Sequence, residues 1–140
     1  MIKRITHHGM VVTDIDEAIA FYTGVVGMKV HWGPRDSQGG PNEGVVGYKD
    51  VHMKIAHLIA PDDAELELIQ YINPAPKERP DQRERALIGA THLAFEVENV
   101  SEVYDKFIEA GGTKLMPVSH FPDGSQEAYL QDPFGNWIEL

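Results

Sequence analysis

Apolar and polar residues alternate from residue 4 to 13, a stretch rich in Val and Ile, and this period of two predicts a strand. On a strand, residues two apart share a face, so His7, Gly9 and Val11 lie on one side and His8, Met10 and Val12 on the other. The period then changes. Ile15, Ala18, Ile19, Tyr22 and Val26 recur at helical spacing, Asp14 or Asp16 supplies an N-cap, and Gly24 and Gly27 end the helix. A short strand is predicted over 28–32, and a loop over 33–42, where Pro34, Gly39, Gly40 and Pro41 punctuate the chain. Strand is predicted again over 45–48 and 51–59, with a turn at Pro61-Asp62-Asp63. Residues 64–71 form the next strand, placing Glu65, Glu67 and Ile69 on one face and Leu66, Leu68 and Gln70 on the other.

Residues 73–86 hold three prolines and mixed charges and read as a linker. Beyond it the first pattern returns. Thr6-His7 matches Thr91-His92, Val12 matches Val97, Asp14 matches Asn99 and Glu17 matches Glu102, in a register that runs without a gap to Val30 against Leu115. A repeat of this kind constrains the fold more than any single element. The second copy predicts a strand over 92–97 and a helix capped by Ser101, with the apolar stripe Val100, Val103, Tyr104, Phe107 and Ile108. Gly111-Gly112 stops that helix. Strands follow over 114–118, 128–131 and 137–140, with a turn at Asp132-Pro133-Phe134-Gly135-Asn136. Each half is strand, helix, then three strands, which makes an α+β protein. The division is module 1 over 1–72, a linker over 73–86, and module 2 over 87–140, together one domain of 140 residues. A chain of that length buries roughly 68% of its unfolded surface, enough for a core without staples.

Composition removes several function classes. With no cysteine there is no disulfide, thiolate metal site or Cys nucleophile. A net charge of −10 opposes nucleic-acid binding. The N-terminus lacks the apolar core of a signal peptide and no run reaches the length of a membrane span, so a soluble cytoplasmic protein without a membrane partner is expected.

The chemistry lies in what the repeat carries. The first strand of each half holds a His and the last a Glu-Leu: His7 with Glu67-Leu68, and His92 with Glu139-Leu140. If the copies relate by a pseudo-twofold axis, two imidazoles and two carboxylates converge, a donor set suited to Zn, Ni, Co, Mn or Fe(II). His8 and Glu65 compete for the same roles. Taken singly, a strand His is a hydrogen-bonded structural residue and a strand Glu a solvated one; the matched repetition favours ligands.

The segments Thr6-His7-His8-Gly9-Met10-Val11-Val12-Thr13-Asp14, Ala20-Phe21-Tyr22-Thr23-Gly24-Val25-Val26-Gly27-Met28, Leu66-Glu67-Leu68-Ile69 and Gln131-Asp132-Pro133-Phe134-Gly135-Asn136-Trp137-Ile138-Glu139-Leu140 resemble the vicinal oxygen chelate superfamily. That superfamily spans glyoxalase I, extradiol dioxygenases and the fosfomycin and bleomycin resistance proteins. The resemblance implies two βαβββ modules pairing into a cupped mixed sheet around a divalent metal held by His7, Glu67, His92 and Glu139. The His/Glu/His/Glu set is most similar to glyoxalase I. This implies a lyase or isomerase acting on a small substrate with vicinal oxygens through an enediolate, with Glu139, or symmetrically Glu67, as the base. Val11 stands where several glyoxalase I enzymes carry an Arg for the glutathione carboxylate, and Ile88-Gly89-Ala90-Thr91-His92 lacks their Tyr-Gly-His. An Fe(II) extradiol dioxygenase is the alternative, since His120, Tyr129, Asp132-Pro133-Phe134-Gly135 and Glu139 match its spacing, with Ala128 in place of a larger aliphatic residue. A metal-free drug-binding protein, using Trp32, Phe121 and Trp137, is the third reading. The partner in each case is a small molecule, and the resemblance also implies a homodimer. Lys77, Arg79, Arg83 and Arg85 offer an anion site, against the simpler reading of a solvated segment shared with Glu78, Asp81 and Glu84.

Overall fold

A computed structural model describes residues 1–77 and 84–140, and the chain divides into two compact units, Met1–Glu78 and Arg79–Leu140. The protein is α+β, as the sequence pattern predicts, and each unit is described separately.

In the first unit a four-stranded mixed sheet has the order β1-β4-β3-β2, formed by β1 (His8–Val11), β2 (Lys29–Gln38), β3 (His52–Ile59) and β4 (Glu65–Asn73). Strand β1 runs parallel to β4, and β4–β3 and β3–β2 are antiparallel. The ladder pairs Met10 with Leu68, and Leu68 and Leu66 with Ala56 and Leu58, all of them buried on one face. Helix α1 (Ile15–Gly24) packs on the sheet and buries Ile15, Ala18, Phe21 and Tyr22. Ile15 and Phe21 each contribute about 1.5–3 kcal/mol by leaving water. Asp14 is the N-cap, accepting the backbone N–H groups of Asp16 and Glu17 at 2.9 and 3.0 Å. Asp14→Ala should therefore cost about 1 kcal/mol in chemical denaturation, and Asp14→Ser should restore most of it.

The elements depart from the pattern in several places. The first strand begins at His8, paired with Leu66, close to where β4 begins at Glu65; residues 4–6 lie before the start of β4 and have no ladder to join. Positions 33–38, expected as loop, continue β2 past two register shifts, and Gly33, at φ 95°, turns the chain at the second. Positions 41–46, including Val45 and Val46 of an expected strand, form a short helix α2 (Pro41–Val46) that begins on a proline, a favoured first helical residue, and buries nothing. In the second half Asn99 caps the helix in place of Ser101. Its side chain accepts the Glu102 N–H at 3.1 Å, as its counterpart Asp14 does in the first half.

The second unit repeats the topology as β5-β10-β9-β6, with β5 (Leu93–Ala94), β6 (Thr113–Lys114), β9 (Tyr129–Gln131) and β10 (Trp137–Glu139). Strand β5 is parallel to β10 and the other pairings are antiparallel. The strands expected over 92–97 and 114–118 shrink to two residues each, because β10 and β9 offer only three-residue partners. A separate hairpin pairs β7 (Ser119–His120) with β8 (Gln126–Glu127). Helix α3 (Val100–Glu109) buries Val100, Tyr104 and Phe107, and Leu130 and Ile138 pair in the core of this unit. The buried Asp132 carboxylate accepts the N–H groups of Phe134 and Asn136 at 2.9 and 2.8 Å, tying the turn that sets β10 against β9. Among the described residues, no helix is long and apolar enough to cross a membrane.

Candidate metal and active site

The sheet face away from each helix carries the polar groups, and the repeat places them identically. In the first unit Gly9 stands opposite Glu67 across the β1–β4 ladder, and His7 lies two residues before Gly9, on the same side. In the second unit Ala94 stands opposite Glu139, and His92 lies two residues before Ala94. Each His thus meets the Glu of its own half. His7 Nε2 is 3.6 Å from Glu67 Oε2, and His92 Nε2 is 2.9 Å from Glu139 Oε2. The strand positions leave room for this: a Cβ on Gly9 would stand 3.4 Å from Glu67 Oε2.

Around Glu67 the structure adds groups that the sequence pattern does not single out. His57 on β3 is paired directly with Glu67, and its Nε2 is 3.2 Å from Glu67 Oε1 while its Nδ1 is 2.8 Å from Glu65 Oε2. Trp32 stacks on the His57 ring at 4.3 Å with 20° between the planes, and the edge of His7 meets it at 5.1 Å. His57 is 7% exposed, so its ring is wedged among these groups and holds Glu67 in one orientation. The hydrogen bond from His57 holds the Glu65 carboxyl below its ordinary value, against a smaller opposing effect of desolvation, and the His31 imidazole 3.6 Å away acts in the same direction as His57. The cross-strand register that puts His57 opposite Glu67 is the signal that would have found it.

Around Glu139 the partners are Tyr129 and, through His92, Arg85. The Tyr129 hydroxyl donates to Glu139 Oε2 from the neighbouring strand, where the two residues are paired. This bond to a carboxylate, with burial and the Glu139 charge, pushes the phenol up, so it stays a neutral donor. Arg85 Nη2 donates to His92 Nδ1 at 2.8 Å, and its guanidinium lies 4.5 Å from the Trp137 ring and 5.2 Å from the Tyr129 ring. His120 is exposed on the separate hairpin, and among the described residues no side-chain hydrogen bond or ion pair joins it to Tyr129 or Glu139. Trp32 and Trp137 are both engaged with charged neighbours, while Phe121 is exposed. Of the four cations expected between residues 77 and 85, Arg79 and Arg83 lie outside the described residues, as do the acidic Glu78 and Asp81.

Among the described residues, no group of three or more His, Cys, Asp or Glu side chains is arranged to hold a metal ion. The chemistry of each pair nonetheless fits one. Two donors bound side by side to one cation at about 2.1 Å each stand about 3 Å apart, which matches His92 and Glu139 at 2.9 Å. The groups touching the ligand atoms, His57 on Glu67 and Tyr129 on Glu139, are hydrogen-bonding partners of the kind that orient metal ligands.

The uncharacterized protein YwbC of Bacillus subtilis is 31% identical over 141 residues, covering 100% of this chain and 98% of YwbC. A glyoxalase family protein from Bacillus cereus superposes with a TM-score of 0.83 at 23% identity, over 100% of this chain and 93% of that one, and so shares the fold. The trypanothione-dependent glyoxalase I of Leishmania major superposes with a TM-score of 0.63 at 25% identity, over 99% of this chain and 85% of that one. Residues 4–140 match the glyoxalase/bleomycin resistance protein/dioxygenase superfamily, and the chain belongs to it.

Proposed function

We propose that the chain is a metal-dependent lyase or isomerase of the glyoxalase I type, acting on a small substrate with vicinal oxygens through an enediolate. The observation that carries this reading is the matched pairing of one His with one Glu in each half of the repeat, His7 with Glu67 and His92 with Glu139. These four residues would hold a divalent ion: Zn, Ni, Co, Mn or Fe(II). Such an ion, when bound, supplies Lewis acidity toward an oxygen that gains charge. The chain supplies the proton chemistry. Glu139 takes the proton alpha to the substrate carbonyl and returns it to a neighbouring carbon or to the opposite face. Tyr129 holds the Glu139 carboxylate in place and, as a neutral phenol, does not compete for that proton. Glu67, held by His57, is the symmetric base.

The metal content of untagged protein, purified without oxygen or chelators, tests the reading. Zn, Ni, Co or Mn at one per chain, with turnover of hydroxy-carbonyl substrates, is expected. His92→Ala should lower the affinity for that ion by about 100-fold or more. A protein that takes up no metal even on reconstitution would sink it. A second reading, an Fe(II) dioxygenase, draws on the Tyr129 hydroxyl at Glu139. Stoichiometric iron with oxygen consumption on catechols would select it.

A further inference from the structure

Arg85 sits in a stretch whose mixed charges suggest a solvated surface, yet its guanidinium is fixed in place. It lies over Trp137, which is 6% exposed and thus anchored, and beside Tyr129. The chain has 22 acidic residues against 12 basic ones, but among the described residues no carboxylate forms an ion pair with Arg85. Among the described residues it donates to the Thr91 carbonyl at 3.4 Å and to His92 Nδ1 at 2.8 Å, beside the Tyr129 hydroxyl.

The second of these bonds is conditional. A guanidinium only donates, so Nδ1 of His92 must accept, and in the neutral ring the proton is then on Nε2, facing Glu139. A neutral imidazole that ligates through Nε2 carries its proton on Nδ1, where it can accept nothing. Arg85 must therefore release His92 when Nε2 is used as a ligand. The aromatic platform keeps the guanidinium beside the site, where release of His92 frees Nη2 to donate, and the groups that match a guanidinium two bonds at a time are carboxylates and phosphates.

We infer that Arg85 is the receptor for a carboxylate or phosphate group of the substrate, bound beside the His92–Glu139 pair on the platform of Trp137 and Tyr129. The substrate class is then a short oxo or hydroxy acid, or its phosphate-ester counterpart, with the anion close to the vicinal oxygens. The inference rests on the metal-dependent reading above for the release of His92.

The test uses propionate and methyl phosphate, which lack vicinal oxygens, titrated into the full chain with and without Zn and followed by calorimetry and by the Trp137 indole N–H shift. One or both should bind the Zn-loaded protein, and whichever binds more tightly names the anion. Metal-free protein should bind it more weakly, because His92 competes for Arg85. Arg85→Met should weaken binding at least 10-fold, and Arg85→Lys should keep part of it. Zn affinity of Arg85→Met should equal or exceed that of the natural protein, which also shows that the variant is folded. Anion binding by Arg85→Met as tight as that of the natural chain overturns the inference, as does no binding of either anion to Zn-loaded protein. If Zn itself fails to bind the natural chain, the metal reading falls on that measurement alone. Anion binding to the metal-free protein that is lost in Arg85→Met then still supports Arg85 as the receptor, and its persistence there refutes it.

Discussion

Glu139→Gln is expected to lower turnover about 10²- to 10⁴-fold while leaving most of the metal bound. The substitution keeps the shape of the side chain. A carboxamide oxygen can still accept from Tyr129 and still face His92, the two contacts that position Glu139. What it loses is the capacity to take up a proton, since the amide is not basic. Loss of rate without loss of metal therefore isolates the base from the ligand. Metal content by mass spectrometry, measured on the same samples as kcat for a panel of hydroxy-carbonyl substrates, separates the two. Glu67→Gln is the control, because Glu67 occupies the equivalent place in the first half and is held by His57 at 3.2 Å. Should Glu67→Gln abolish turnover and Glu139→Gln spare it, the base is on the other half. Unchanged rates in both variants would remove a carboxylate base from the mechanism.

Gly33→Ala is expected to destabilise the protein by about 3 kcal/mol, combining a left-handed backbone with an overpacked site. Gly33 has φ 95°, and a Cβ there would stand 2.7 Å from the Ile55 carbonyl oxygen and 2.8 Å from the Ala56 Cα. Both are backbone atoms of β3, the strand that carries His57, so neither can swing aside as a side-chain end can. Gly27 provides the comparison: it has φ 83° but nothing within 4 Å of its would-be Cβ. Gly27→Ala should cost about 1–2 kcal/mol, the conformational part alone. Urea denaturation of the two variants measures the difference, and equal losses would mean that β3 yields to the added methyl. Because Trp32 precedes Gly33 and stacks on His57, Gly33→Ala should also perturb the Trp32 fluorescence, whereas Gly27→Ala should not.

Much of the candidate site was legible in the chain because it depends on periods that the sequence carries directly. Strand alternation alone places His7 on the face of Gly9, and Glu67 on the face of Glu65, away from Leu66 and Leu68. The copy at His92 and Glu139 doubles the signal, and the register across β1–β4 and β5–β10 then joins each His to its Glu. Helices were legible for the same reason: Ile15, Ala18 and Tyr22, and Val100, Tyr104 and Phe107, are spaced for one buried stripe.

Strand ends were not legible, since a strand lasts only as long as its partner. Arg4, Ile5 and Thr6 alternate well enough, but β4 ends opposite them and they stay outside the sheet. Nor could local preference decide Val45 and Val46, whose branching favours strand while Pro41 and the absence of a pairing partner leave them helical. His57 and Arg85 show the same divide at the site. Nothing in Ile55-Ala56-His57-Leu58 marks a ring that will sit between two carboxylates; only the antiparallel pairing of β3 with β4 sets it against Glu67 and Glu65. Arg85 lies among acidic neighbours in the chain, yet the fold stacks it on Trp137, 52 positions away, and directs it at His92. Hydrophobic period and repeat are properties of a segment and its copy, so the sequence by itself determined the α+β fold class, the two modules and the His–Glu pairs. Which cation meets which ring, and which imidazole orients which carboxylate, are properties of contacts between segments, and only the tertiary structure decided them.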